Sequence, residues 1–158
     1  MTDGAAQADR PGFAFLLVQL GAHAAGLFAE RLAPLGLEPR HVGMLTQLAA
    51  NEGKAQQAIG ELIGLNPTQM VFLVDELEQR GLVERRRNPA DRRSYSLYLT
   101  EPGRAMLAAV QDAALAHQDS LGGSLTSDER EQLTALLRRV AAGQGLSEQS
   151  LPGIRRRG

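Results

Sequence analysis

Six arginines crowd into one short segment, RGLVERRRNPADRR, at Arg80, Arg85, Arg86, Arg87, Arg92 and Arg93, with only Glu84 and Asp91 against them. The segment carries a local charge of +4 in a chain whose formal charge is −1, so the remainder stands at −5. Sixteen of the seventeen basic residues are Arg and only Lys54 is Lys. Nearly all the positive charge therefore resides in planar guanidinium groups, whose forked donors suit phosphates and base edges. A codon preference for Arg explains the Arg-to-Lys ratio equally well, but it leaves the clustering unexplained. Net charge speaks against a nucleic-acid partner, whereas the distribution of charge speaks for one. A second basic cluster, Arg155 to Arg157, lies at the C-terminal end.

Other chemistries are poorly provided for. The chain has no cysteine, which excludes disulfide scaffolds, Cys-ligated zinc, iron–sulfur clusters and thiol-based catalysis or redox sensing. His23, His41 and His117 are far apart, with no pair one helical turn apart, so neither a metal site nor a cofactor is expected. No HExxH, Walker loop or G-x-S-x-G occurs, and His117, Asp119 and Ser120 lack the spacing that orients a catalytic triad. The chain is not expected to be an enzyme.

The elements that would position the arginines follow from periodicity and punctuation. With 158 residues and 43% apolar content, the chain reads as one soluble domain able to bury roughly 70% of its unfolded surface without staples. Residues 1–11 read as a disordered N-terminus. Residues 11–29 lack charged side chains, yet the preceding segment is not the positive region of a signal peptide, and Gln19, His23 and several glycines interrupt a membrane span. Phe13, Leu16, Leu17, Leu20, Ala24, Leu27 and Phe28 instead form one stripe of an amphipathic packing or dimerisation helix within 12–36. No membrane partner is expected.

Glu38 and Pro39 open a second helix with Leu45, Leu48 and Ala49 inward, and Ala58 to Ile63 forms a short third one stopped by Gly64. Asn66, Pro67 and Gln69 have the chemistry of a capped start, so a new helix spans 66–80, with Met70, Leu73, Val74 and Leu77 on its inner face. Gly60 supplies a small residue where the two helices cross. Two helices joined by a short glycine turn describe a helix-turn-helix, whose second helix enters a DNA major groove, or a plain helical hairpin. Residues 82–99 decide between them: Leu82 to Arg87 is an extended run, Asn88 to Asp91 is turn chemistry, and Tyr95, Leu97 and Leu99 alternate on one face. A charged hairpin after a helix-turn-helix makes a winged helix over 37–100, whose wing can grip phosphates or the minor groove. Helices then occupy 101–143, with Met106, Leu107, Val110, Ala114 and His117 on one stripe and Leu133, Leu136, Leu137 and Val140 on the next. Residues 144–158 read as a flexible basic tail. The fold class is mainly α with a small β wing, a winged helix-turn-helix core flanked by N- and C-terminal dimerisation helices.

The stretch from Leu62 to Leu107, with its pattern L-V-D-x-L-E-x-R-G-L-V, then R-x-x-x-x-x-D-R-R, then L-T-x-x-G, closely resembles the winged core of the MarR family of regulators, and the flanking helices extend the likeness to 12–143. The resemblance implies a cytoplasmic homodimer that binds an inverted repeat in double-stranded DNA, usually as a repressor released by a small ligand. It places Thr68 and Gln69 at bases or phosphates, Arg92 and Arg93 in the minor groove with Asp91 orienting one of them by a salt bridge, and Arg85, Arg86 and Arg87 on the phosphate backbone. Val71 and Phe72 stand where many relatives have Thr and Arg. Phe72 either touches thymine methyls or packs inward, with inward or partial packing preferred. The resemblance also sets His23, Phe28, His41 and Met44 near a cleft for a small aromatic or apolar effector, although each also reads as a core or surface residue. The alternative function is a winged-helix module that binds acidic proteins and no specific DNA.

Overall fold

The computed structural model describes residues 11–89 and 91–146. The expected disordered N-terminus and basic tail therefore fall almost wholly outside the described residues. The chain runs as α1 (Phe13–Leu32), a short 3-10 turn (Ala33–Leu35), α2 (Pro39–Ala50), α3 (Gln56–Ile63), α4 (Pro67–Gln79), β1 (Val83–Arg87), β2 (Tyr95–Leu99), α5 (Glu101–Leu121) and α6 (Ser127–Gly143). This is the mainly helical architecture with a two-stranded wing that the sequence predicts.

Local chemistry sets the ends of these elements. At α4, Asn66 Oδ1 accepts the Gln69 N–H at 2.9 Å and the Asn66 N–H donates to Gln69 Oε1 at 3.2 Å, a reciprocal cap that satisfies two otherwise orphaned groups. Thr126 and Glu129 repeat the device at α6, and Thr100 caps α5 through the Gly103 N–H at 3.0 Å. Gly64 closes α3 in the left-handed region at φ 77°, which glycine adopts without cost. Gly103 is required for a different reason: a Cβ there would lie 2.0 Å from the Leu82 carbonyl oxygen, so only glycine lets α5 start against the chain that leaves α4.

The core gathers between α2, α3, α4, β2 and the first half of α5. Met44, Leu45, Leu48, Ile59, Val74, Leu77 and Leu97 are fully enclosed, as is Leu32 from the end of α1. His41 and Met44 take inward positions on α2, whereas Ala49, expected inward, is exposed. Residues Phe13–Leu35 are long and apolar enough by themselves to cross a membrane, but their C-terminal end enters this core, with Phe28 and Leu35 packed against it.

β1 and β2 pair antiparallel from Val83 with Leu99 to Arg87 with Tyr95. A two-stranded hairpin is marginal alone, and here β2 has a second neighbour. The Gly53 N–H donates to the Leu97 carbonyl at 3.0 Å, the Leu97 N–H donates to the Lys54 carbonyl at 3.1 Å, and Ala55 bridges Ser96. β2 thus has a neighbour on both edges, β1 on one and the turn leading to Ala55 on the other; Ser96 is buried beside Leu97, while Tyr95, expected on the same face as Leu97 and Leu99, lies exposed at the wing end of the strand. Glu52 finishes the joint by accepting from the Leu99 N–H at 2.9 Å and from Arg104 at 2.9 and 3.0 Å.

Candidate nucleic-acid interface

Met70, Leu73, Val74 and Leu77 commit one face of α4 to the core, as expected. The other face is open: Thr68, Gln69, Val71 and Phe72 are all exposed, at successive turns of the helix. Phe72 retains 70% of its accessible surface. The preferred expectation of inward packing is therefore corrected: the inward positions are already filled by residues one helical turn apart. Gln69 spends its side-chain oxygen on the cap, which leaves its amide N–H groups to donate outward. Between α2 and α4 an open cleft is lined by Arg40, Gln69, Phe72, Asp75, Glu76 and Gln79 among others.

The six clustered arginines have divided roles. Arg85, expected to serve the phosphate backbone, is turned inward instead. Its guanidinium reaches Asp75 at 2.6 Å, Glu78 at 2.6 Å and Gln56 at 2.9 Å, while its own backbone N–H donates to Glu78 at 3.1 Å. With only 16% of its side chain exposed, Arg85 clamps the wing to α4 by pairing with two carboxylates on that helix, one of whose two negative charges it offsets. Arg86 pairs with Glu84 and lies over the Tyr98 ring, 4.3 Å from its centroid. Arg87, Arg92 and Arg93 are exposed, and among the described residues no carboxylate lies within ion-pair distance of them.

Asp91 organises the wing tip differently from the salt bridge expected of it. Its Oδ1 accepts the Arg93 backbone N–H at 3.0 Å and its carbonyl accepts from the Ser94 N–H at 3.0 Å and the Ser94 hydroxyl at 3.1 Å. Such an Asx-type turn fixes the backbone carrying Arg92 and Arg93, whose guanidinium groups have no carboxylate partner among the described residues.

Two further contacts tie α4 to the rest of the chain, and no local spacing announces either. Arg80, just beyond α4, donates to the carbonyls of Gly36 at 2.7 Å and Leu35 at 3.1 Å. Buried His41 accepts the Glu38 N–H on Nδ1 at 2.9 Å, so its Nε2 carries a proton and faces Glu76 Oε1 at 3.1 Å. The His41 imidazole, helped by Arg40 and Arg80 and opposed by partial burial, holds the Glu76 carboxyl below its ordinary value.

The four residues expected near an effector cleft are not brought together. His41 and Met44 are enclosed in the core, His23 is exposed on α1, and Phe28 packs against His117 with ring centroids 5.2 Å apart. None of them lines a described cavity. His117, read from the sequence as a stripe residue and not placed near the cleft, is the one that meets Phe28. Among the described residues no cluster of potential metal ligands occurs.

Residues 35–94, which hold the capped helix α4 and most of the hairpin clamped beside it, match the family model described as MarR family. The HTH-type transcriptional regulator MhqR of Bacillus subtilis is 32% identical over 105 residues, covering 66% of this chain and 72% of that protein. This chain belongs to the MarR family. The MarR-type winged helix is also seen in a solved structure of the transcriptional repressor CouR bound to a 23-mer DNA duplex, which is 35% identical, covers 82% of this chain and 92% of that one, and superposes with a TM-score of 0.74. A candidate transcriptional regulatory protein for the hcr operon of Thauera aromatica is 34% identical over 105 residues, 66% of this MarR-family chain. The matched stretch spans 63% of the Thauera protein's length.

Proposed function

We propose that this chain is a cytoplasmic, DNA-binding transcriptional repressor that acts as a homodimer on an inverted repeat and is released by a small aromatic or apolar effector. One observation carries the DNA reading: the exposed N-terminal face of α4 is joined through the Arg85 clamp to the hairpin that carries Arg87, Arg92 and Arg93, three exposed arginines with no ion-pair partner among the described residues. A helix that reads bases and a cationic hairpin that holds the backbone form a complete reading head. The DNA-bound CouR relative supports the same use of the fold.

The dimer reading rests on the uncovered leucines of α1 and α6. A second copy is the economical cover, and it would set two recognition helices about 34–36 Å apart to match two half-sites. Of the four expected effector contacts, Phe28 and His23 remain accessible without opening the core, and the Phe28 and His117 pair lies where α1 meets α5. An effector wedged there would act by changing the spacing of the two recognition helices.

Gel-shift titration on DNA upstream of the chain's own gene is expected to give a salt-sensitive complex, and Arg93→Ala is expected to weaken it without loss of helix content or dimer. Absence of any salt-sensitive complex would sink the DNA reading in favour of a protein-binding wing. Wild-type affinity in Arg93→Ala would contradict the role given to the wing tip.

A further inference from the structure

The feature of α4 that DNA binding in general leaves unexplained is its apolar outer face. Val71 and Phe72 expose 43% and 70% of their surface on the side away from the core, next to Thr68 and Gln69. Single exposed apolar residues are common on any protein. Two adjacent ones on the helix placed to read bases, with a phenyl ring almost fully out of the core, mark a contact surface. Neither side chain can donate or accept a hydrogen bond, so neither reads the donor and acceptor pattern of a base pair. In the major groove one feature remains for such a group to read, the 5-methyl of a pyrimidine, and in ordinary DNA that pyrimidine is thymine.

We infer that Phe72 is a specificity-determining residue that reads a thymine 5-methyl group in each half-site, with the adjacent Val71 adding exposed apolar surface to the same helix. The assignment rests on the DNA-binding reading above and adds what is read. Two observations favour a base edge over another occupant. The patch is continuous with the exposed cap residues of α4, and the Arg85 clamp holds the cationic wing beside that helix, so duplex DNA drawn to Arg87, Arg92 and Arg93 would meet it. Arg85 pairs with both neighbouring carboxylates, Asp75 and Glu78, and offsets one of their two negative charges, which lessens the repulsion DNA would meet there.

The test uses the full chain. Duplexes are selected from a random pool, and each thymine of the selected site is replaced in turn by deoxyuridine, which deletes the methyl and leaves every hydrogen-bonding group. Anisotropy titrations at one salt concentration compare wild type, Phe72→Ala and Phe72→Leu. At one thymine per half-site uracil is expected to weaken wild type about fourfold, and about sixteenfold when both half-sites are changed, the equivalent of losing one buried methyl contact in each. Phe72→Ala should lose that discrimination while keeping its melting temperature and its salt dependence, and Phe72→Leu should keep it. Cytosine and 5-methylcytosine opposite guanine at the same position isolate the methyl from the base pair: methylation is expected to tighten wild type about fourfold and to leave Phe72→Ala unchanged, and no gain in wild type would overturn the proposal. The proposal is also overturned if uracil weakens no position, or weakens Phe72→Ala as much as wild type. Failure of the selection itself to yield salt-sensitive binding would instead defeat the underlying DNA reading.

Discussion

Leu45 and Leu48 in α2 and Ile59 in α3 are fully enclosed, while Leu133, Leu136, Leu137 and Val140 in α6, spaced with the same helical regularity, keep between 41% and 47% of their surface open. The winged unit closes its own core, and no residue of α6 is buried. The contrast teaches that periodicity states which face of a helix is apolar but not what covers it. In α2 to α4 the cover is the same chain. Among the described residues, α6 and the first half of α1 keep their apolar faces open.

Breaking the closed region should have the largest effect. Leu45→Ala is expected to cost about 2–5 kcal/mol of stability, because the removed methyls leave a cavity that the surrounding helices cannot fill. Urea unfolding followed by circular dichroism reads it directly, and a loss below that range would mean the core adapts. The matching change in the open region is Leu133→Asp with Leu137→Asp. In the proposed dimer it should abolish self-association in sedimentation at micromolar concentration while leaving the winged unit folded; an unchanged dimer would put the interface elsewhere.

Arg85→Ala tests the joint inside the closed region. It removes no proposed DNA contact, yet it frees the wing from α4 and exposes Asp75 and Glu78 as unpaired charges. Operator affinity is expected to fall about tenfold, at least as much as in Arg93→Ala, from loss of preorganisation and added repulsion. If Arg85→Ala were harmless, the wing would not need its clamp.

The smallest expected effect lies where the two regions meet. Burial, ahead of repulsion from Arg31, holds the His117 imidazole below its ordinary value of 6.5. As the pH falls below that value the unfolded chain takes up the proton first. Stability is therefore complete above about pH 6.5 and declines as the pH drops through the folded value. His117→Phe should flatten the decline of the urea midpoint between about pH 8 and about pH 5.5. An equal slope in both proteins would assign it to other groups.

Features fixed within one turn of the chain were legible before the fold was known. The Asn66 and Gln69 cap, the Thr126 and Glu129 cap, the glycine stop at Gly64 and the inner face of α4 each depend on neighbours a few residues away. The pattern L-T-x-x-G was visible too, though its reason, the Thr100 cap and the contact of Gly103 with Leu82, needed the packed structure. Partners far apart in sequence stayed hidden. Nothing local tells that Arg85 meets Gln56, that Arg80 meets Leu35 or that Ala55 borders Ser96. For Phe72 the sequence allowed two faces, and only the complete filling of the core by its neighbours placed it outward.

Arg80 has a mechanical meaning as well. It ends the recognition helix and holds, by two carbonyls, the tight corner at Leu35 and Gly36 where α1 hands over to α2. That corner acts as a pivot bolted to a lever. A twist of α1 about its end cannot be absorbed in a loose loop, because the corner is fastened to α4, and so in the proposed dimer the angle at which α4 would meet a groove is geared to the posture of α1.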